Sequence, residues 1–281
     1  MAAHGEQNGS LQRLECVPVN ECGDFTAKLL HALKTLKSVD IESCKSLEEV
    51  FELGEADEGS SEEKELPLLS SLTELHLSFL PELKCIWKGP TRHVSLQSLA
   101  RLELGYLDKL TFIFTPSLAQ SLLQLEKLEI EKCGELKHII REEDGDRDII
   151  PESPRFPKLK TLIVSGCGKL EYVFPVSVSV SPSLPNLEKM TISDADNLKQ
   201  MFYSGEGDTL TTDGIIKFPQ LSELDLSSRS NYSFFGPKNF AAQLPSLKSL
   251  TIYGHKELGN LSAQLQVRPL YSSNIFFSFL I

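Results

Sequence analysis

Hydrophobic positions recur along this chain in one spaced pattern. In LEKLEIEKCGELKHII (125–140), Leu125, Leu128 and Ile130 lead, Cys133 follows, and Leu136 and Ile139 close the unit. The segment LKTLIVSGCGKLEYVF (159–174) repeats it position for position. Further copies are LKSVDIESCKSLEEVF from Leu36, LTELHLSFLPELKCIW from Leu72, LARLELGYLDKLTFIF from Leu99 and LEKMTISDADNLKQMF from Leu187. Weaker copies start at Leu14, Leu221 and Leu247, giving nine anchors spaced 22 to 36 residues apart. The first three columns are apolar in all nine copies, against a 41% apolar background, so the repeat is not chance.

The L-x-L alternation predicts a short strand with one buried face, with Val39/Ile41, Leu75/Leu77, Leu102/Leu104 and Leu128/Ile130 inward. Pro157, Pro185, Pro219 and Pro245 each stand two residues before an anchor, where proline stops a helical turn and sets up extended chain. Later apolar residues, among them Phe51, Trp87, Phe114, Phe174 and Phe202, close the core. Periods near 20–29 with this motif mark leucine-rich repeats, and the longer spacings require insertions. No single repeat buries enough to stand alone, so the repeats must stack. The expected fold is an α/β leucine-rich-repeat solenoid, a horseshoe. Its concave side is a parallel β-sheet of about nine short strands, and its convex side is irregular and partly helical, as at 26–33 and 117–125. The expected division is an N-terminal segment at 1–13, the repeats at 14–266, and an off-pattern apolar tail at 267–281.

Charge is concentrated in the insertions. Segments 54–65, 141–152 and 204–214 carry net −5, −4 and −3 in a chain of net −11, which leaves the scaffold near neutrality. Like charges with Gly and Ser give these loops little to bury, so mobility and solvation are expected of them. Contact with a basic surface is the alternative. A chain of pI about 5.1 repels phosphate, which argues against nucleic acid. No basic n-region or apolar leader is visible, and no run reaches the ~20 apolar residues of a membrane span. Six scattered cysteines without a CxxC pair suit reduced thiols in the cytoplasm.

Little in the chain reads as chemistry. Cys22, Cys44, Cys133 and Cys167 occupy one repeat column, so their expected task is to fill the bend after the strand. Cys133 and His138 form C-x4-H, but no second pair has zinc spacing. GCGKLE (166–171) lacks the first glycine and the Ser/Thr of a phosphate loop. No catalytic residue, metal or cofactor is assigned, and the chain is read as non-enzymatic.

The residues flanking each buried pair form three outward columns. The first runs Ser38, Glu74, Arg101, Lys127, Thr161, Lys189, Glu223. The second begins Asp40, His76, Glu103, Glu129, and the third Glu42, Ser78, Gly105, Glu131. Strands about 4.8 Å apart make a strip long enough for a standard protein interface. Phe79 and Tyr106 lie just past the strand ends. The candidate partner-binding residues are Glu74, His76, Arg101, Glu103, Tyr106, Lys127, Glu129 and Glu131. The competing expectation is that these charges pair across strands as ladders.

The segments LKSVDIESCKSLEEVFELGE and LEKLEIEKCGELKHIIREED resemble the irregular C-terminal repeats of plant disease-resistance proteins of the coiled-coil, nucleotide-binding, leucine-rich-repeat class. The resemblance spans roughly 11–265. It implies an intracellular immune receptor whose repeats sense a pathogen effector or a guarded host protein. The chain shows no phosphate loop, nucleotide-binding domain or coiled coil, so the resemblance further implies a fragment without the switch. A free-standing cytosolic adaptor or decoy is the alternative. Either way the implied partner is a protein.

Overall fold

The computed structural model describes residues 13–16, 35–53, 67–91, 93–141, 156–175, 184–203, 214–227, 240–253, 265–266 and 276–280. The L-x-L segments form strands of four or five residues that stack as one parallel sheet of ten. In order these are Arg13–Cys16, Ser38–Glu42, Glu74–Ser78, Arg101–Gly105, Lys127–Glu131, Thr161–Ser165, Lys189–Ser193, Glu223–Ser227, Ser249–Tyr253 and Phe276–Leu280. Register follows the repeat columns. Leu128 lies between Leu102 and Leu162, and Ile130 between Leu104 and Val164. One continuous core results, and its leucines are almost wholly shielded from water.

The first and last strands depart from the sequence expectation. Leu14 pairs with Val39 and Cys16 with Ile41, so Leu14 fills the second apolar column and is not an anchor. Leu11-x-x-Leu14-x-Cys16 and Leu14-x-x-Val17-x-Val19 both fit the apolar template, and the pairing selects the earlier frame. At the other end, the tail expected to lie outside the repeats supplies the tenth strand. Phe277 pairs with Leu250 and Phe279 with Ile252. A polar Asn274 stands where the other copies have leucine, which hides this strand from a search for the motif.

Opposite the long sheet the described residues are mostly extended as well. Glu49–Glu52 pairs with Cys85–Lys88, while Phe112–Phe114, His138–Ile140, Tyr172–Pro175 and Gln200–Tyr203 make a four-stranded parallel sheet. Gly214–Lys217, Phe240–Gln243 and Leu265–Gln266 make a third sheet, of three strands. The expected helix at 117–125 shrinks to Pro116–Gln120. Thr115 caps it by accepting the Leu118 N–H, and Pro116 suits the first turn because its missing N–H would have no partner there. Segment 26–33 lies outside the described residues. So do the acidic insertions, apart from Arg141 and Gly214.

Two turns bracket the central strands of the long sheet. Before it, the anchor N–H bonds three residues back, as Leu159 to the Phe156 carbonyl at 3.2 Å and Leu187 to Leu184 at 3.3 Å. Pro157 and Pro185 thus sit at the second position of a β-turn, where a fixed φ is favoured. After the strand, Leu136 N–H bonds the Cys133 carbonyl and Leu170 that of Cys167, so the cysteine column opens the second turn. Aromatic rings form a buried spine between the sheets. Phe51 stacks on Trp87 at 5.0 Å, Trp87 lies 6.5 Å from Phe114, and Phe174, Phe202 and Phe218 follow at 6.0 and 6.2 Å. Ile140 bridges the two runs, paired with Phe114.

Candidate interaction face

Because side chains alternate along a strand, the residues between buried ones project together from the long sheet. Glu74, Arg101 and Lys127 are register neighbours in the first column, and His76, Glu103 and Glu129 in the second. Their charges meet across the strands. Arg101 Nη1 donates to Glu74 Oε1 at 3.0 Å. Lys127 Nζ lies 2.7 Å from Glu103 Oε1 and 2.5 Å from Glu129 Oε2. His76 Nδ1 is 3.0 Å from Asp40 Oδ1. Partial burial alone would lower the Lys127 pKa, but the hydrogen bonds to both carboxylates outweigh it and raise it. The ladder expectation therefore describes this patch. A depression of about 400 Å³ opens beside it, lined by Ser38, Asp40, Glu74, His76, Arg101 and Glu103 among others. This part of the face is a patterned surface of hydrogen-bonded polar and charged groups.

The edge of this face has a second character. Where the residue after a long-sheet strand is described, it takes a left-handed backbone: Ser43, Phe79, Tyr106, Lys132, Gly166 and Asp194 have φ of 59°, 54°, 55°, 51°, 67° and 48°. Each sends its N–H to the next repeat, for example Phe79 to Gly105 O at 3.0 Å and Tyr106 to Glu131 O at 2.9 Å. These bonds offset a conformation that costs a non-glycine residue on the order of 1 kcal/mol. Tyr106, one of the eight candidates, belongs to this rim, and Glu131 supports it through its carbonyl. Phe79 and Tyr106 are 46% and 37% exposed and stack at 4.4 Å and 14°. Lys132 Nζ lies 4.7 Å from the Tyr106 ring centroid and donates to its hydroxyl at 2.9 Å. That hydroxyl raises the Lys132 pKa. Sequence reasoning passed over Lys132, and placed Asp40 in an outward column without counting it among the candidates. Glycine at Gly166, directly after its strand, was the available hint that the position is left-handed.

The residues that suggested chemistry serve other ends. Cys44, Cys133 and Cys167 are buried, and Cys22 is outside the described residues. The Cys133 thiol, hydrogen-bonded to Cys167 and desolvated, is held far above the ordinary thiol range. His138 stacks on Tyr172 at 6.3 Å in the opposite sheet. We expect Cys44, Cys133 and Cys167 to resist a maleimide in the native chain and to react within minutes in denaturant, as mass spectrometry would record. Fast native labelling of all three would contradict their place in the core.

Comparison with known proteins follows this geometry. A family model described as plant disease resistance protein RPS2-like, leucine-rich repeats, matches residues 2–134 and 136–263. No curated protein matches the chain significantly. Among solved structures, the leucine-rich repeat domain of the type III effector XCV3220 (XopL) covers 75% of this chain and 75% of its own. It does so at 19% identity and a TM-score of 0.32, too low for anything to be drawn from it. Among the described residues, no helix is long and apolar enough to cross a membrane.

Proposed function

The chain belongs to the RPS2-like leucine-rich-repeat family of plant disease resistance proteins, and from this we propose that its long-sheet face recognises a protein on behalf of an intracellular immune receptor. The recognised protein is a pathogen effector or a guarded host protein, and the setting is the cytoplasm. The chain acts by binding and carries out no reaction. The observation that supports this reading is the register of the outward columns. Four neighbouring strands hold Glu74–Arg101, Glu103–Lys127–Glu129 and Asp40–His76 as a fixed sequence of polar pairs on a rigid sheet. Such a surface discriminates partners by requiring them to match or replace these pairs, because a buried charge left without a partner is costly.

The Glu74–Arg101 pair is half exposed on both sides, so its contribution to folding is small, about 0–1 kcal/mol. Replacing both members with alanine leaves no orphaned charge. We expect Glu74→Ala/Arg101→Ala to unfold at the wild-type temperature. The proteins cross-linked to the full chain in pathogen-challenged plant tissue should be lost from the variant, as quantitative mass spectrometry would register. Undiminished capture of the same proteins by the double variant would overturn the assignment of this face.

A further inference from the structure

The rim carries a short patch whose composition its position does not explain. A left-handed residue is cheapest as glycine or asparagine and most strained as a bulky side chain. Here two aromatic residues and a lysine occupy consecutive rungs, Phe79, Tyr106 and Lys132. Small neighbours bound them. Ser43 stands on the rung before, and Gly166 on the rung after, where an added Cβ would come within 3.0 Å of the Lys132 side chain. The rungs thus form one continuous stack with an aromatic face at one end and an ammonium at the other.

The electrostatics of the stack differ from those of the paired lysines around it. Lys109, Lys127, Lys160, Lys169 and Lys189 are each neutralised by a glutamate of an adjoining repeat. Among the described residues no carboxylate stands within ion-pair reach of Lys132 Nζ, which rests on Tyr106. Two of its three N–H donors are left for a ligand. The Phe79 ring is stacked on one side by Tyr106 and faces the small Ser43 rung on the other.

We propose that Phe79, Tyr106 and Lys132 form a preorganised docking spot for an extended segment of the partner protein, one carrying an apolar side chain and a carboxylate about four residues apart. The apolar side chain lies against the free face of Phe79, and the carboxylate meets Lys132. The spacing follows from the two steps of the stack, 4.4 Å between rings and 4.7 Å from ring to ammonium, with about 4 Å more to a group resting on the free face of Phe79, together about four residues of extended chain. Tyr106 keeps both ends rigid, so little side-chain freedom is lost on binding. This assignment rests on the protein-recognition reading above and names the chemistry that one part of the surface selects.

The probe is a displayed library of random twelve-residue peptides, selected on the full chain and counter-selected on Phe79→Asn/Lys132→Glu. Asparagine tolerates the left-handed backbone, so Phe79→Asn is expected to unfold no earlier than wild type. The recovered peptides should share an aromatic or aliphatic residue with Asp or Glu three to five positions away. A synthesised representative should bind at least ten-fold more weakly to Phe79→Asn and to Lys132→Glu. Direct selection on Lys132→Glu should recover Lys or Arg in place of the acid. Peptides lacking the acid, no enrichment at all, or tighter binding of single-stranded oligonucleotides would each overturn the proposal. Binding lost in Glu74→Ala/Arg101→Ala but intact in both rim variants would overturn it while leaving the sheet-face reading in place.

Discussion

Trp87→Ala should remove most of the stability of the repeats around it. The indole is 4% exposed, stacked on Phe51 at 5.0 Å, and 6.5 Å from Phe114 in the same buried spine. Truncating a buried tryptophan costs about 3–5 kcal/mol through lost burial and the cavity left behind. A second loss adds to this. Trp87 Nε1 donates to the Ile113 carbonyl at 2.8 Å, and without it that buried acceptor loses its partner, at about 1–3 kcal/mol. In a stacked array each unit is held by its neighbours, so the effect spreads beyond one repeat. Urea denaturation followed by circular dichroism is the measurement, since this is the sole tryptophan and its fluorescence vanishes with it. Trp87→Phe retains the stack and loses the hydrogen bond, and should fall between wild type and alanine. An alanine variant within about 1 kcal/mol of wild type would show that the spine does not couple the repeats.

Gly89→Ala should be comparably damaging for a different reason. Gly89 follows the Cys85–Lys88 strand with φ of 102°, a conformation that side chains rarely adopt. A Cβ there would lie 2.1 Å from the Leu53 carbonyl oxygen, which is backbone and cannot swing aside. The same stretch is tied by the Leu53 N–H to the Lys88 carbonyl at 2.7 Å. The two repeats would have to part here, at a cost on the order of 3 kcal/mol. Gly134 is the control. It has no atom within 4 Å of an added Cβ and no positive φ, so Gly134→Ala should be neutral or slightly stabilising. Equal melting temperatures for the two variants would refute this account of residue 89.

Most of the long sheet was legible because its signal has period two. An alternating strand fixes which residues are inward, and the columns read from the sequence agree with the pairing from Ser38 onward. The first strand was displaced by three residues because two frames satisfied the same apolar template. The opposing strands were harder to read. Phe112–Phe114 and His138–Ile140 are three residues each, too short for periodicity to separate a strand from a helical turn. At the candidate face, the identities of the projecting residues were accessible but their pairing was not. Lys127 reaches Glu103 across 24 residues of chain, and only the stacking brings them together. The rim was least visible, because left-handed backbone at Phe79, Tyr106 and Lys132 goes against what those residues prefer.

The register of the sheet is indifferent to the length of chain between its strands. Consecutive repeats from Leu36 onward are separated by 26 to 36 residues, yet their strands pair without a slip. Doubling a flexible connection costs only about 0.6 kcal/mol in closure entropy. Residues can therefore be gained or lost in the connections while the outward columns stay in place. Two parts of one gene can then vary under separate selection. Substitutions within five-residue strands alter what is recognised, and changes of length alter what surrounds it, neither disturbing the other.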